Sequence, residues 1–169
     1  MTVRRVEPSA SRPHMPGYGI VGPNAGGGLL PWTWAVERLE RAHDYWVATS
    51  WPDGRPHVMP VWGAWVDGAV WFSCSRGSRK ARNLLRDARC SVTTDDASEP
   101  VVIDGTAELV DVRDTIERLT GIWNAKYETD TPVEFFAAPA NACFRVVPAR
   151  VIGMTESNFN GSPTRWDLG

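Results

Sequence analysis

Residues 45–74 read Tyr45-Trp-Val-Ala-Thr-Ser-Trp-Pro-Asp-Gly-Arg-Pro-His-Val-Met-Pro-Val-Trp-Gly-Ala-Trp-Val-Asp-Gly-Ala-Val-Trp-Phe-Ser-Cys74. Three β-prone runs alternate here with two turns. Tyr45 to Ser50 is the first run, Pro56 to Trp65 the second and Ala69 to Cys74 the third. In Pro52-Asp-Gly-Arg55 the proline presets φ and the glycine accepts a positive one. Asp67-Gly68 is a tight hairpin pair. Strands joined this closely form an antiparallel meander.

Outward from the meander, Ser78 opens a helix in which Ala81, Leu84, Leu85 and Ala88 share one face. Cys90–Thr94 and Val101–Val110 make a further strand pair. An amphipathic helix follows from Asp111 to about Tyr127, with Val112, Ile116, Leu119 and Trp123 on its stripe. A short helix over Pro132–Phe136 leads to a last strand, Ala142–Met154, expected to break or bulge at Pro148. Upstream, Pro31-Trp-Thr33 opens a helix carrying Val36, Leu39 and His43 at helical spacing. Residues 1–30, rich in Pro, Gly and Ser, read as an extended or mobile arm before the domain of residues 31–169. About six antiparallel strands with helices between hairpins predict an α+β protein built on a small barrel.

The junction Phe72-Ser-Cys-Ser-Arg-Gly-Ser-Arg-Lys-Ala-Arg-Asn83 is the strongest chemical signal. Ser78 caps the helix, and its first-turn N–H groups are left without partners. Arg76, Arg79, Lys80 and Arg82 crowd that same end, where the helix dipole prefers negative charge. A bound phosphate resolves that conflict; the plainer alternative is a solvated basic helix face. In Pro56–Trp65 two prolines remove ladder donors, so this strand has an open edge. That edge offers backbone groups to the polar rim of a planar ligand, with Val61 and Trp62 against its face, or is simply an ordinary edge. Cys74 is either a thiol made reactive by the basic cluster or a small strand-end residue. Trp166, followed closely by the C-terminus, docks either on its own core or across a dimer.

Bulk properties narrow the function. The net charge of −2 argues against a protein-wide field for nucleic acid or anionic membranes, so any anion site is local. Nine tryptophans exceed ordinary packing needs and point either to planar-ligand or subunit surfaces or to a Trp-rich core. Cys74, Cys90 and Cys143 form no CxxC pair, and His14, His43 and His57 lack metal spacing; neither a disulfide framework nor a metal site is expected. With no apolar signal core and no run near ~18 apolar residues, the expected compartment is the cytoplasm. Lys80 and Lys126 are the only lysines. No nucleophile with an adjacent base is evident, so any redox chemistry is a cofactor's.

Tyr45-Trp-Val-Ala-Thr49, Gly54-Arg-Pro-His-Val-Met-Pro-Val-Trp-Gly63 and Ser78-Arg-Lys-Ala-Arg-Asn-Leu84 resemble the pyridoxamine-phosphate-oxidase-like split β-barrel superfamily. Together with Arg12-Pro-His-Met-Pro-Gly-Tyr-Gly-Ile20, Leu30-Pro-Trp-Thr-Trp-Ala35 and Thr164-Arg-Trp166, they look most like the second branch of actinobacterial flavin/deazaflavin oxidoreductases that use coenzyme F-420. The resemblance implies a homodimer with cofactor at the subunit interface. The ring system would lie along Met59, Pro60, Val61, Trp62 and Gly63. Ser73, Cys74, Ser75, Arg79, Lys80 and Asn83 would grip the phosphate. Trp166 would approach the ring from the partner subunit, and the arm with His14, Met15 and Tyr18 would cover the substrate mouth. Charge alone adds Arg76 and Arg82 for the acidic tail of F-420. The implied reaction is hydride transfer to a conjugated small molecule, with an FMN enzyme or a non-catalytic flavin, deazaflavin or haem binder as alternatives. Nothing matches the substrate-binding C-terminus of true pyridoxamine phosphate oxidases, so that activity is not expected.

Overall fold

A computed structural model describes residues 7–169. The meander forms as strands β2 (Asp44–Ser50), β3 (Pro56–Val66) and β4 (Ala69–Ser75). Gly54 has φ +85° in the first turn. Asp67 and Gly68, at φ 52° and 76°, make the second, the left-handed pair that matches strand twist in a two-residue hairpin. Helix α1 (Trp32–Arg41) precedes the meander. After it come helix α2 (Arg79–Arg86), strands β5 (Arg89–Thr94) and β6 (Val101–Val110), helix α3 (Arg113–Tyr127) and strand β7 (Asn141–Gly153). Short strands β1 (Ser9–Ser11) and β8 (Thr164–Asp167) complete the set.

Strands pair in the order β7-β4-β3-β2-β5-β6, and β6 pairs back onto β7, so six antiparallel strands close a barrel with three flanking helices. This is the split-barrel α+β fold expected from the sequence. One edge of β7 is shared: β4 takes Asn141–Val146 and β8 takes Arg150–Gly153. The hand-over falls at the expected irregularity. Gly105 pairs with Pro148 and Asp104 with Arg150, so Ala149 bulges out. A Cβ on Gly105 would lie 2.4 Å from the Val147 carbonyl oxygen, which is why glycine is required there.

Inward residues of the strands fill the barrel: Tyr45, Val47, Val61, Phe72, Val92, Ile103, Phe144 and Val146, plugged by Leu39 of α1 and Ala81 and Leu84 of α2. A second core lies outside the wall, where Ile116, Leu119 and Trp123 of α3 cover Ala64, Ala69, Trp71 and Cys143. Most tryptophans serve these cores: Trp71, Trp123 and Trp166 are buried, and Trp32, Trp34 and Trp65 pack against the barrel core.

Several expectations change. Helix α1 buries Ala35 and Leu39, and His43 lies beyond its end, exposed. Val112 precedes α3 and is exposed. The expected helix at Pro132–Phe136 is one 3-10 turn, Val133–Phe135. From Glu7 onward the arm is extended but tied down; its first six residues lie outside the described residues. β1 pairs with β8. The Arg12 guanidinium donates to the carbonyls of Pro163, Gly22, Ala25 and Gly28. Asn158 and Asn160 donate to the carbonyls of Gly26, Tyr18 and Gly19. The arm thus follows the C-terminal segment of its own chain.

Candidate functional site

The strand-to-helix junction builds a basic cradle. Ser78 N–H donates to the Ser75 carbonyl at 2.9 Å, and Ser78 Oγ accepts from Ala81 N–H at 3.3 Å. The cap fixes where α2 begins. Its first turn contains no acidic residue. Among the described residues, Arg76, Arg79, Lys80, Arg82 and Arg86 form no salt bridge. Loss of solvent around Arg79, then the charges of Arg82 and Arg55, disfavour its ionised form. Its Nε is buried without a partner among the described residues, as are Nδ1 of His57 and Oδ1 of Asn83. Arg76, Arg79, Lys80 and Arg82, without salt bridges among the described residues around one capped helix start, fit an anionic ligand.

The meander supplies an open strand edge beside this cradle. β3 pairs with β2 over Pro56–Trp62 but with β4 only over Gly63–Val66, so its first half has one free edge. At one end the Arg55 carbonyl accepts from Trp51 N–H across the hairpin. At the other, Gly63 turns its N–H and C=O toward His43, with the Tyr127 hydroxyl wedged between. That hydroxyl accepts from Gly63 N–H at 2.8 Å and donates to the His43 carbonyl at 2.6 Å. Odd-numbered residues therefore face β2. Alternation along the strand turns the backbone groups of Val58, Pro60 and Trp62 to the open edge. Pro60 lacks its N–H where no ladder bond is needed. The side chains of Trp46, Val58, Met59 and Trp62 are exposed.

These findings sort the predicted residues. Met59 and Trp62 are accessible, and Pro60 lies at the open edge. Val61 is in the core, with no face for a ring. The Gly63 backbone is already engaged, its carbonyl also accepting from Lys126 Nζ at 2.6 Å. A Cβ there would sit 2.8 Å from the Trp71 carbonyl oxygen. Ser75 ends β4 and Lys80 lies in the first turn of α2, at the junction, whereas Arg79 turns its guanidinium onto Trp51, 3.7 Å from the ring centroid. Ser73 points the other way, donating to the Phe136 carbonyl at 2.9 Å. Cys74, near the end of β4, accepts from Ser78 Oγ at 3.6 Å, and burial pushes its thiol up despite that bond and the Lys80 charge, which disfavours the thiolate. Asn83 is buried and donates to Thr49 Oγ1 at 3.0 Å.

Trp166 requires a correction. It is 1% exposed, lying edge-on to Trp32 at 5.6 Å and stacked at 6.5 Å on Trp34. So placed, its ring has no surface to offer a partner subunit.

The sequence reading missed the C-terminal turn of α3. Tyr127 stacks on Trp62 at 4.3 Å, and burial raises its hydroxyl to about 12. Burial also pushes Lys126 down to about 8, against the opposing charges of Asp44 and Asp95. The rarity of lysine was the one available signal. Two surface hollows, of about 590 and 960 Å³, include no residue of Met59–Gly63 or Ser73–Asn83. Among the described residues no cluster of His, Cys, Asp or Glu is placed to hold a metal, and no helix is long and apolar enough to cross a membrane.

The family profile of pyridoxamine 5'-phosphate oxidase matches residues 35–154, the run from within α1 to just past the end of β7. The chain belongs to the pyridoxamine 5'-phosphate oxidase family. Solved structures with this family's fold agree. A conserved hypothetical protein of Mycobacterium tuberculosis superposes with TM-score 0.64 at 24% identity, covering 82% of this chain and 85% of that one. A protein named F-420 reductase gives TM-score 0.54 at 22% identity, covering 68% and 93%. A FAD-binding protein of Mesorhizobium loti gives 0.58 at 19%, covering 83% and 96%. At these identities the likeness is one of fold. No curated protein sequence matches.

Proposed function

We propose that this protein is an oxidoreductase that binds coenzyme F-420 and reduces a conjugated small molecule by hydride transfer, acting as a homodimer with the cofactor between subunits. The carrying observation is the cluster of Arg76, Arg79, Lys80 and Arg82 around the capped start of α2, which form no salt bridge among the described residues, beside a strand whose open edge presents polar backbone groups. Family membership and flavin-type neighbours of the same fold support this reading.

When bound, the deazaflavin supplies the hydride. The chain's own residues bind, orient and exclude water. Lys80, with Ser75 and the first N–H groups of α2, holds a phosphate. The carbonyls of Val58 and Pro60, with the N–H of Trp62, meet the polar rim of a planar ring. Trp46, Val58, Pro60 and Trp62 give an apolar wall that a second subunit covers, drying the site. No side chain need act covalently.

Titration of purified protein with F-420 and with FMN, followed by fluorescence, tests the proposal. Micromolar F-420 binding without FMN binding supports it, and the reverse assigns the site to FMN. If bound reduced F-420 is not oxidised by enones, quinones, nitro compounds or bilins, the protein is a carrier and not an enzyme. Light scattering that returns a monomer mass contradicts the shared site.

A further inference from the structure

Two of the nine tryptophans, Trp32 and Trp65, wall the larger of the two surface hollows, about 960 Å³ in volume. They meet edge-on at 6.4 Å, and Trp32 also lies edge-on to the buried Trp166 at 5.6 Å. Both stay half-buried while packing against the barrel core. Backbone bonds hold the walls around them. Ser9 of β1 pairs with Asp167 of β8, and Leu30 N–H donates to Thr164 Oγ1 at 2.9 Å, tying the approach to α1 onto β8. The Asp67-Gly68 turn closes one side. A preformed hollow of this size with fixed aromatic walls suits a small planar ligand.

Charge decides which planar ligand fits. Among the described residues, every charged side chain lining the hollow is an acid: Glu7, Glu37, Asp67 and Asp167. Asp67 pairs with Arg118 at 2.7 Å, and Asp167 with Arg165 at 2.7 Å and Arg150 at 3.5 Å, but none of these arginines lines the hollow. Glu37 stands 3.8 Å from Arg38, whose shorter bond goes to Glu99 at 2.6 Å. Glu7 forms no salt bridge among the described residues, and both glutamates are exposed. An anion entering here meets carboxylates and no lining cation, whereas a flat cation meets both carboxylates and indoles. The arm, the start of α1 and the segment after β7 supply most of the walls and lie outside residues 35–154, the run that matches the family profile.

We propose that this hollow binds a small flat aromatic cation, with Trp32 and Trp65 against its rings and Glu7 and Glu37 balancing its charge. The chemical class is a fused ring system bearing one delocalised or quaternary positive charge. No residue of Met59–Gly63 or Ser73–Asn83 lines the hollow, so the site stands apart from the basic cradle and does not depend on F-420 being the cofactor.

Calorimetric titration of the full-length protein compares three flat probes of similar size: N-methylacridinium, acridine and anthracene-2-carboxylate, in mildly alkaline buffer where acridine is neutral. The cation should bind about tenfold more tightly than either of the others, as a cation–π contact and nearby carboxylates supply. The double variant Glu7→Gln, Glu37→Gln should lose that margin while keeping its melting temperature, because both side chains are exposed. Trp65→Leu should weaken N-methylacridinium binding. Trp62→Ala, at the open edge of β3, should leave the affinity and the margin intact. Equal affinity for cation and anion, or a margin that survives the double glutamine variant, overturns the site. A margin lost in Trp62→Ala moves binding to the β3 edge and overturns it too. So does a margin that appears only after residues 1–6 are removed, since the hollow would then belong to Arg4 and Arg5 of the chain itself. Because no probe contains a phosphate or a deazaflavin, failure of F-420 to bind would count against the proposed function and leave this result standing.

Discussion

Replacing Trp166 with alanine separates two roles for the C-terminal tail. The side chain is 1% exposed and packs against Trp32 and Trp34. Its backbone pairs with Val151 on one side and Ala10 on the other. Deleting an indole from such a position costs about 3–5 kcal/mol, from lost transfer energy plus the cavity left behind. For a chain of this length each kcal/mol moves the melting temperature by about 2–4 °C, so a fall of roughly 10 °C is expected. The indole N–H has no partner among the described residues; Trp166→Phe therefore breaks no hydrogen bond among them and should cost about 1–2 kcal/mol. Thermal melts by circular dichroism measure the loss. F-420 titrations well below either transition should give unchanged affinity. A melting temperature within about 2 °C of the unaltered protein, combined with lost F-420 affinity, would refute the core assignment and restore a ligand-facing Trp166.

Four further outcomes follow from the α3 turn and the barrel seam. Tyr127→Phe leaves Gly63 N–H and the His43 carbonyl without their shared hydroxyl; it should cost about 1–3 kcal/mol and speed hydrogen exchange at the Gly63 amide, and unchanged exchange would contradict the wedge. ¹³C-methylation labels the two lysines and the α-amino group, and a resonance that titrates near pH 8 and vanishes in Lys126→Arg should belong to Lys126; no such Lys126-dependent resonance would exclude its burial. Because folding lowers Lys126 from 10.5 to about 8, the unfolded chain binds more protons in that interval, and stability should rise with pH across it. Above pH 10 the order reverses, since Tyr45 and Tyr127 are held higher in the fold than in the unfolded chain, and denaturant midpoints should fall again. Gly105→Ala drives a Cβ into the Val147 carbonyl and should destabilise the β6–β7 seam by about 1–3 kcal/mol, read as a lowered urea midpoint; an unchanged midpoint would show that the bulge has room.

What could be read from the sequence was local. Alternation through Tyr45, Val47 and Thr49, the glycine turns at Gly54 and Gly68, and the Ser78 cap each act within a few residues. They located the meander, α2 and the basic cradle. Pro148 likewise marked the bulge in β7. The hidden features depend on partners far along the chain. Closure of β6 onto β7 and the capture of the arm by Arg12 join segments that no local pattern connects. Asn83 sits on a basic helix and looks solvent-facing, yet helical phase turns it onto Thr49. Val61 and Trp62 are neighbours in sequence, but strand alternation sends one into the core and the other outward. The Gly63 backbone looked free until Tyr127 and Lys126, more than sixty residues on, were found bound to it. Trp166 carried the same ambiguity, because a tail aromatic reads alike whether it docks on its own chain or on another.

The most direct test of the basic cradle is the F-420 affinity of the double variant Arg79→Ala, Lys80→Ala. Both side chains lie at the start of α2 without salt bridges among the described residues, and the helix dipole disfavours their charge there. The melting temperature of the cofactor-free protein should therefore hardly move. Affinity should fall at least about tenfold, as expected for the loss of charge-assisted phosphate bonds. Unaltered affinity in a folded double variant would contradict the account and make the start of α2 a solvated basic face.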